Sequence, residues 1–398
     1  MRWILLPALC AAVAAATPDL DALRAQAADY AALHARYQQL LTDRGELKRR
    51  VDGLDQRLRA LAQAEDADPG EAQRLAAEHE AAQIALAEFE RPRSELWKVR
   101  LELEASGGRL EAALDAALTA EPDPELRLLR GELFARLERY AAALPDAEAA
   151  AFARPEDPRA LVLLGRCAAT QNRFKDAEGL FGDAVRLAPS AEAWALLAAA
   201  RYCRNDFRGA REAYAHAAPE EVPPRLLRRC REWFAPEALS ALEAAWGEEQ
   251  RLRAAGREQP RVALTLGERE VVLELFADAA PGPVAKLLER VRAGKLSDVP
   301  VQRVLTNLAV FAGGSPRLDP AEQAAADPTL PRRHHFRGSV ALEHTGDHPG
   351  YGPGIVVALT PAPRLDARHL VIGRVLSGQQ AWDAAREGQR ISAARVLE

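Results

Sequence analysis

Between residues 23 and 61 apolar side chains return at seven-residue spacing. One series is Leu23, Tyr30, Tyr37, Arg44, Val51 and Leu58; the other is Gln26, Leu33, Leu40, Leu47, Leu54 and Leu61. Ten of these twelve are apolar, so the stretch predicts a long helix with a coiled-coil seam. Arg44 and Gln26 interrupt the seam, where polar residues fix register or strand number at a cost in stability. Asp66-Ala67-Asp68-Pro69-Gly70 ends this helix, and a second from Glu71 places Leu75, Ala82, Leu86 and Phe89 on one face. Residues 18–92 are therefore expected to form a coiled-coil helical hairpin. An intramolecular hairpin and a homo-oligomer both satisfy the seam. The greater length of the first helix leaves part of it uncovered and points to self-association.

The next block repeats itself. From Pro158 the chain reads Leu161, Leu164-Gly165, Ala168, Phe174, Ala177, Phe181, Ala184 and Pro189; from Ala191 it reads Trp194, Leu197-Ala198, Phe207, Ala210, Tyr214 and Ala217. From Pro124 the matching positions are Gly131, Phe134, Tyr140, Ala143, Ala147, Ala150 and Pro155. A looser copy from Ser94 supplies Trp97, Leu101, Leu110, Ala113, Ala117 and Ala120. Small alanines let paired helices approach closely, while aromatic and leucine positions fill the space between pairs. This pattern is similar to the tetratricopeptide repeat, which implies an α-solenoid over residues 94–250 with a helix from Arg225 to Trp246 capping it. Such arrays bind a protein or peptide along a concave face. Members that grip chaperone tails use lysine and asparagine on the inner helices; Leu129 and Leu163 stand there instead, so the partner is unknown.

After residue 260 the period changes to two. Residues 261–266 and 270–276 read as strands joined by Gly267-Glu268-Arg269, and Ala280-Pro281-Gly282-Pro283 opens an amphipathic helix over 284–293, stopped by Gly294. Further strand-like runs follow at 301–305, 338–342 and 355–360, and the stretch 365–375 comes after them. The run Val301-Gln302-Arg303-Val304-Leu305 sets an arginine among β-branched residues. On an edge facing water such an arginine needs no explanation; in a cleft its five donors need acceptors.

Composition adds compartment and excludes some partners. The chain has 398 residues, room for two or three domains, and 48% apolar and 28% charged residues with a net charge of −5. That balance carries no basic excess for a phosphate backbone. Met1-Arg2 followed by apolar residues to Ala14-Ala15-Ala16 reads as a signal peptide over 1–16, so the expectation is an exported protein of the bacterial periplasm. No stretch predicts a membrane span. Cys167, Cys203 and Cys230 are widely spaced on expected helices and give neither a disulfide framework nor a metal signature. His334, His335, His344 and His348 gather around Gly338 without the helical spacing of a metal site, and no cofactor motif is present.

The order of elements from residue 260, with the stretches Gly338-Ser339-Val340-Ala341-Leu342, Thr345-Gly346-Asp347 and Leu365-Asp366-Ala367-Arg368-His369-Leu370-Val371-Ile372-Gly373-Arg374-Val375, resembles the cyclophilin family of peptidyl-prolyl isomerases. The resemblance implies a closed eight-stranded barrel with two helices over 257–398 and a groove for proline. It places Arg303 as the catalytic donor and Leu308, Val310, Ala312, Ile355, Val356, Leu365 and His369 as substrate-binding positions. The chain departs from the family at several of these. Leu308 replaces an aromatic, Ala312 a glutamine, Ile355 and Val356 a pair of phenylalanines, and Pro353-Gly354 a Ser-Gln. Arg364 replaces a ring, and one residue is inserted between Arg303 and Gly313. The expected function is an exported prolyl isomerase and folding helper with a protein-binding repeat array. The alternative is an adaptor whose barrel binds or braces without turnover.

Overall fold

The computed structural model describes residues 19–64, 68–255, 258–314, 325–326, 329–330, 332–344, 350–366 and 368–397. The expected signal peptide, Thr345-Gly346-Asp347 and His348 lie outside them. The chain divides into two compact units, 1–153 and 154–398.

In the first unit α1 (Leu20–Ala62) and α2 (Pro69–Glu90) form an antiparallel pair. Leu54 packs on Leu75 and Ala82, and Arg44 meets Glu90 at 2.8 Å. The first half of the α1 seam is not left for a second copy. Leu23 and Tyr30 are buried against Leu103, Leu110 and Leu114 of α3 (Glu95–Ala120) and Leu126, Leu129 and Leu133 of α4 (Pro124–Arg136). That covering removes the argument for self-association. α3 is one continuous helix, so the looser repeat from Ser94 is not a helical hairpin. Its Gly107 lies mid-helix because a Cβ there would come within 3.0 Å of the Tyr30 ring. Buried Leu129 faces this core. α5 (Tyr140–Ala153) completes a repeat pair with α4.

The second unit opens with the pairs α6 (Pro158–Thr170) with α7 (Phe174–Leu187) and α8 (Ala191–Cys203) with α9 (Phe207–Tyr214). Each first helix starts on a capping side chain. Asp157 accepts from Arg159 N–H with Pro158 at the first position, and Ser190 accepts from Ala193 N–H. The turn inside each pair is an asparagine in the left-handed region, Asn172 (φ 59°) and, one repeat later, Asn205 (φ 66°). Gly165 is required where Phe181 packs, since a Cβ would sit 2.6 Å from its ring. The capping segment is two helices, α10 (Pro224–Trp233) and α11 (Pro236–Ala254). Pro236 cannot continue a helix from α10, so the chain bends at Ala235. Cys167, Cys203 and Cys230 are free and buried.

The rest of this unit is a closed barrel of β1 (Arg261–Leu266), β2 (Arg269–Leu275), β3 (Val299–Leu305), β4 (Ala309–Ala312), β5 (Ser339–His344), β6 (Tyr351–Ala358), β7 (Leu370–Ser377) and β8 (Arg390–Leu397), in the order β1-β2-β7-β5-β6-β4-β3-β8. α12 (Pro281–Arg292) and the short α13 (Gln379–Asp383) pack on its core through Val284, Leu287 and fully buried Trp382. Closure leaves no free sheet edge, as the strand order implied. No helix among the described residues is long and apolar enough to cross a membrane.

Repeats and barrel within this unit are joined by side-chain amides. Asn172 Nδ2 donates to the Asp383 carbonyl at 3.0 Å, and its Oδ1 accepts from Asn307 N–H at 3.3 Å. Asn205 does the same with Arg337, donating to its carbonyl at 3.2 Å and accepting from its N–H at 2.9 Å. Arg337 pairs with Asp383 at 2.6 Å, and Phe336 inserts between Phe207 and Trp246.

Candidate active site

Strand alternation decides which side chains can meet a ligand. Along β4, Val310 and Ala312 point into the barrel core, while Ala309 and Phe311 point outward. On β6, Ile355 and Val357 point in and Val356 out; on β5, Val340 and Leu342 point in and Ala341 out. Cross-strand pairing lines the outward residues into one row: Arg303 opposite Phe311, Phe311 opposite Val356, Val356 opposite Ala341, and Ala341 opposite Val371. Arg303, Val356, Leu308, Leu365 and His369 therefore lie on the outer side. Val310, Ala312 and Ile355 do not. They fill the barrel, so Ala312, which stands where the family has a glutamine, does not line the groove.

The aromatic that replaces them is Phe311. The three-residue loop 306–308 joins paired Leu305 and Ala309, and Asn307 takes a left-handed turn (φ 56°). A register shift between Val301 and Arg303 turns Gln302 and Arg303 both toward solvent. The Gln302 amide donates to the Gly314 carbonyl and accepts from Gly314 N–H at 3.0 Å, closing the ladder that the bulge breaks. The shift sets Arg303 over Phe311, with the guanidinium carbon 4.0 Å from the ring centroid. A planar cation on an aromatic face is held while its N–H groups stay free. The Arg303 guanidinium makes no hydrogen bond to any described residue.

His369 stands edge-on to Phe311, with ring centroids 5.9 Å apart. Its Nδ1 accepts from His344 N–H at 3.1 Å, so the neutral ring carries its proton on Nε2. Burial, with the neighbouring charges of His335, His344 and Arg303, pushes the His369 pKa down to about 4. The loop 363–369 that carries Leu365 and His369 is pinned by Asp366. Its carboxylate accepts from His334 Nδ1 at 2.8 Å, His335 N–H at 2.8 Å and His335 Nδ1 at 2.6 Å. Burial works to raise the Asp366 pKa, but the bonds from His334 and His335 together outweigh it and hold it at about 2. The same bond to Asp366 raises the His334 pKa against desolvation.

The row is not an open trough. Phe311 is 3%, Val356 0% and Leu365 8% exposed. Arg303 lies on Phe311, and Leu308 and Leu305 pack over the rest. A bound ring must displace Arg303 from Phe311 or turn Leu308 aside. The sequence reading missed Phe311, Asp366 and Glu343. Glu343 is a half-buried carboxylate near Arg303 on β5, and burial raises its pKa while Arg303 lowers it. Residues 261–398 match the family model described as cyclophilin type peptidyl-prolyl cis-trans isomerase/CLD, and residues 128–192 match that of the tetratricopeptide repeat. A peptidyl-prolyl cis-trans isomerase of Arabidopsis thaliana is 30% identical over 121 residues, covering 29% of this chain and 51% of that protein. A probable peptidyl-prolyl cis-trans isomerase of Brucella suis is 28% identical over 140 residues, covering 32% of this chain and 71% of that protein. The chain thus spans about half the length of the Arabidopsis relative. A cyclophilin type peptidyl-prolyl cis-trans isomerase structure from Cryptosporidium parvum is 13% identical with a TM-score of 0.31, covering 35% of this chain and 99% of that one. The chain carries a cyclophilin-type domain and tetratricopeptide repeats.

Proposed function

We propose that the protein is a peptidyl-prolyl cis-trans isomerase and exported folding helper, with X-Pro bonds turned at Arg303 and a client or envelope partner held by the repeats. Rotation about an X-Pro bond must break amide resonance, a barrier of about 18–20 kcal/mol. No nucleophile or metal is required. In the twisted transition state the amide loses conjugation and its nitrogen becomes a better acceptor, so a fixed donor favours that state over the planar ground states. The observation that carries the reading is the Arg303 guanidinium, stacked on Phe311 with no hydrogen bond to a described residue, at the end of an apolar row. It has donors for the substrate amide and carbonyl, and Phe311, Val356 and Leu365 become a surface for a proline ring once Arg303 or Leu308 moves aside. The two relatives and the family match support the reaction class. The apolar stretch from Trp3 to Ala16 supports export to a bacterial periplasm.

The covered floor favours a second reading, an adaptor whose barrel binds or braces without turnover. Turnover and binding are measured together on one proline tetrapeptide. A kcat/KM well above the uncatalysed rate supports the enzyme. Binding without acceleration supports the adaptor and ends the catalytic reading for short peptides.

A further inference from the structure

At one end of the row Arg303, Gln302, Gly314, Gly354 and Glu343 come together. The Glu343 Oε2 lies over the glycine pair: a Cβ on Gly314 would meet it at 2.7 Å and one on Gly354 at 2.8 Å. Gly354 backs onto Gly314, where a Cβ would be 2.9 Å from the Gly314 Cα. Two glycines thus open the room into which the carboxylate is folded. Glu343 sits where the β5–β6 register shifts between Leu342 and His344, one residue before the His344 N–H that holds His369. Strand alternation past inward-facing Leu342 turns its side chain toward the groove mouth rather than into the barrel.

Glu343 makes no hydrogen bond or ion pair with any described residue, and its nearest cation, Arg303, is engaged with the Phe311 ring. A half-buried carboxylate that no described residue hydrogen-bonds is a costly thing to keep in a groove. It becomes favourable when a cation is delivered to it with the ligand. Resting on the peptide-binding reading of this groove, we infer that Glu343 is a specificity-determining residue that selects X-Pro segments carrying a lysine or arginine beside the proline. Arg303 would occupy the substrate backbone and Glu343 the flanking basic side chain, so the two opposite charges would divide one peptide between them. Acidic flanks would meet Glu343 at close range and be disfavoured.

The test uses the full chain and tetrapeptides with lysine, alanine or glutamate at each of the two positions before the proline. Both kcat/KM and peptide affinity are read. The expected result is a lysine-over-glutamate preference of about five- to tenfold at low salt, the range for a partly screened ion pair. The preference shrinks as ionic strength rises past 0.1 M, where the Debye length is about 10 Å. Glu343→Gln keeps the shape under Gly314 and Gly354, and in it the lysine-to-glutamate ratio falls to about one. Equal handling of the two peptides by the wild-type protein overturns the inference, as does an undiminished ratio in Glu343→Gln. If peptides are turned over without charge preference, catalysis stands and this assignment fails. If none is turned over but lysine peptides bind more tightly and lose that advantage in Glu343→Gln, the assignment stands and the catalytic reading fails.

Discussion

Asn172 joins the repeats of the second unit to the loop that follows the Arg303 strand, and its replacement has a calculable cost. Its side chain is 4% exposed. Alanine removes the donor to the Asp383 carbonyl and the acceptor of Asn307 N–H, each contact worth about 1 kcal/mol. Alanine must also take the left-handed backbone at φ 59°, which costs about 1 kcal/mol more. The sum for Asn172→Ala is about 3 kcal/mol. Asn172→Gly loses the same two bonds without the backbone penalty, so its cost is about 2 kcal/mol. In a unit of this length, 154–398, about 3 kcal/mol lowers Tm by about 6–12 °C. Calorimetry of the full chain reads the shift. Because Asn307 is the tip of the β3–β4 hairpin, kcat/KM should fall along with Tm. Equal shifts for Ala and Gly refute the backbone part of the reasoning. A shift below about 2 °C for Asn172→Ala refutes the clasp itself.

Two further perturbations probe the site. Asp366 has a folded pKa held near 2 against an ordinary value of 3.8, so its stabilisation is complete above about pH 4 and is lost as pH falls through 2. Discounted for partial exposure, this is about 1–2 kcal/mol. The stability gap between wild type and Asp366→Asn, measured by urea unfolding, should shrink as pH falls from 5 to 2; a constant gap contradicts the assignment. His334 works in the other direction, stabilising fully below its ordinary 6.5 and losing that effect as pH rises through its raised folded value. Phe311→Leu keeps the site apolar but removes the ring under Arg303, a contact worth about 0.5–1 kcal/mol. It should lower kcat about two- to fivefold, and an unchanged kcat removes Phe311 from the mechanism.

The parts of this architecture that were legible in the sequence are those written locally. Recurring alanine, aromatic and leucine positions mark the repeats, and the period-two runs mark the strands. What depended on pairing between distant strands was not legible. The inserted residue before Gly313 could lie in the loop or in the strand, and only the cross-strand partners decide it. The pairing of Arg303 with Phe311 puts Ala309 and Phe311 on the outer face and Val310 and Ala312 in the barrel, and a one-residue slip would turn every side chain over. The signal was present in that count, with a phenylalanine one step away. The covering of α1 by α3 was hidden for a similar reason: a heptad seam states that it is buried, not by what. Gly107 is the sequence trace of that contact, and it has meaning only once Tyr30 is known to face it.

The most direct test of the account is the cis–trans exchange rate of a proline tetrapeptide, measured by exchange NMR with the full chain and with Arg303→Ala. A charge-assisted bond from the guanidinium contributes about 1.5–3 kcal/mol, so the variant should lose about ten- to a hundredfold in exchange rate while its Tm stays near that of the wild type. Exchange no faster than in protein-free solution, or an Arg303→Ala variant as fast as the wild type, would contradict the assignment of this site as a prolyl isomerase centre built on Arg303.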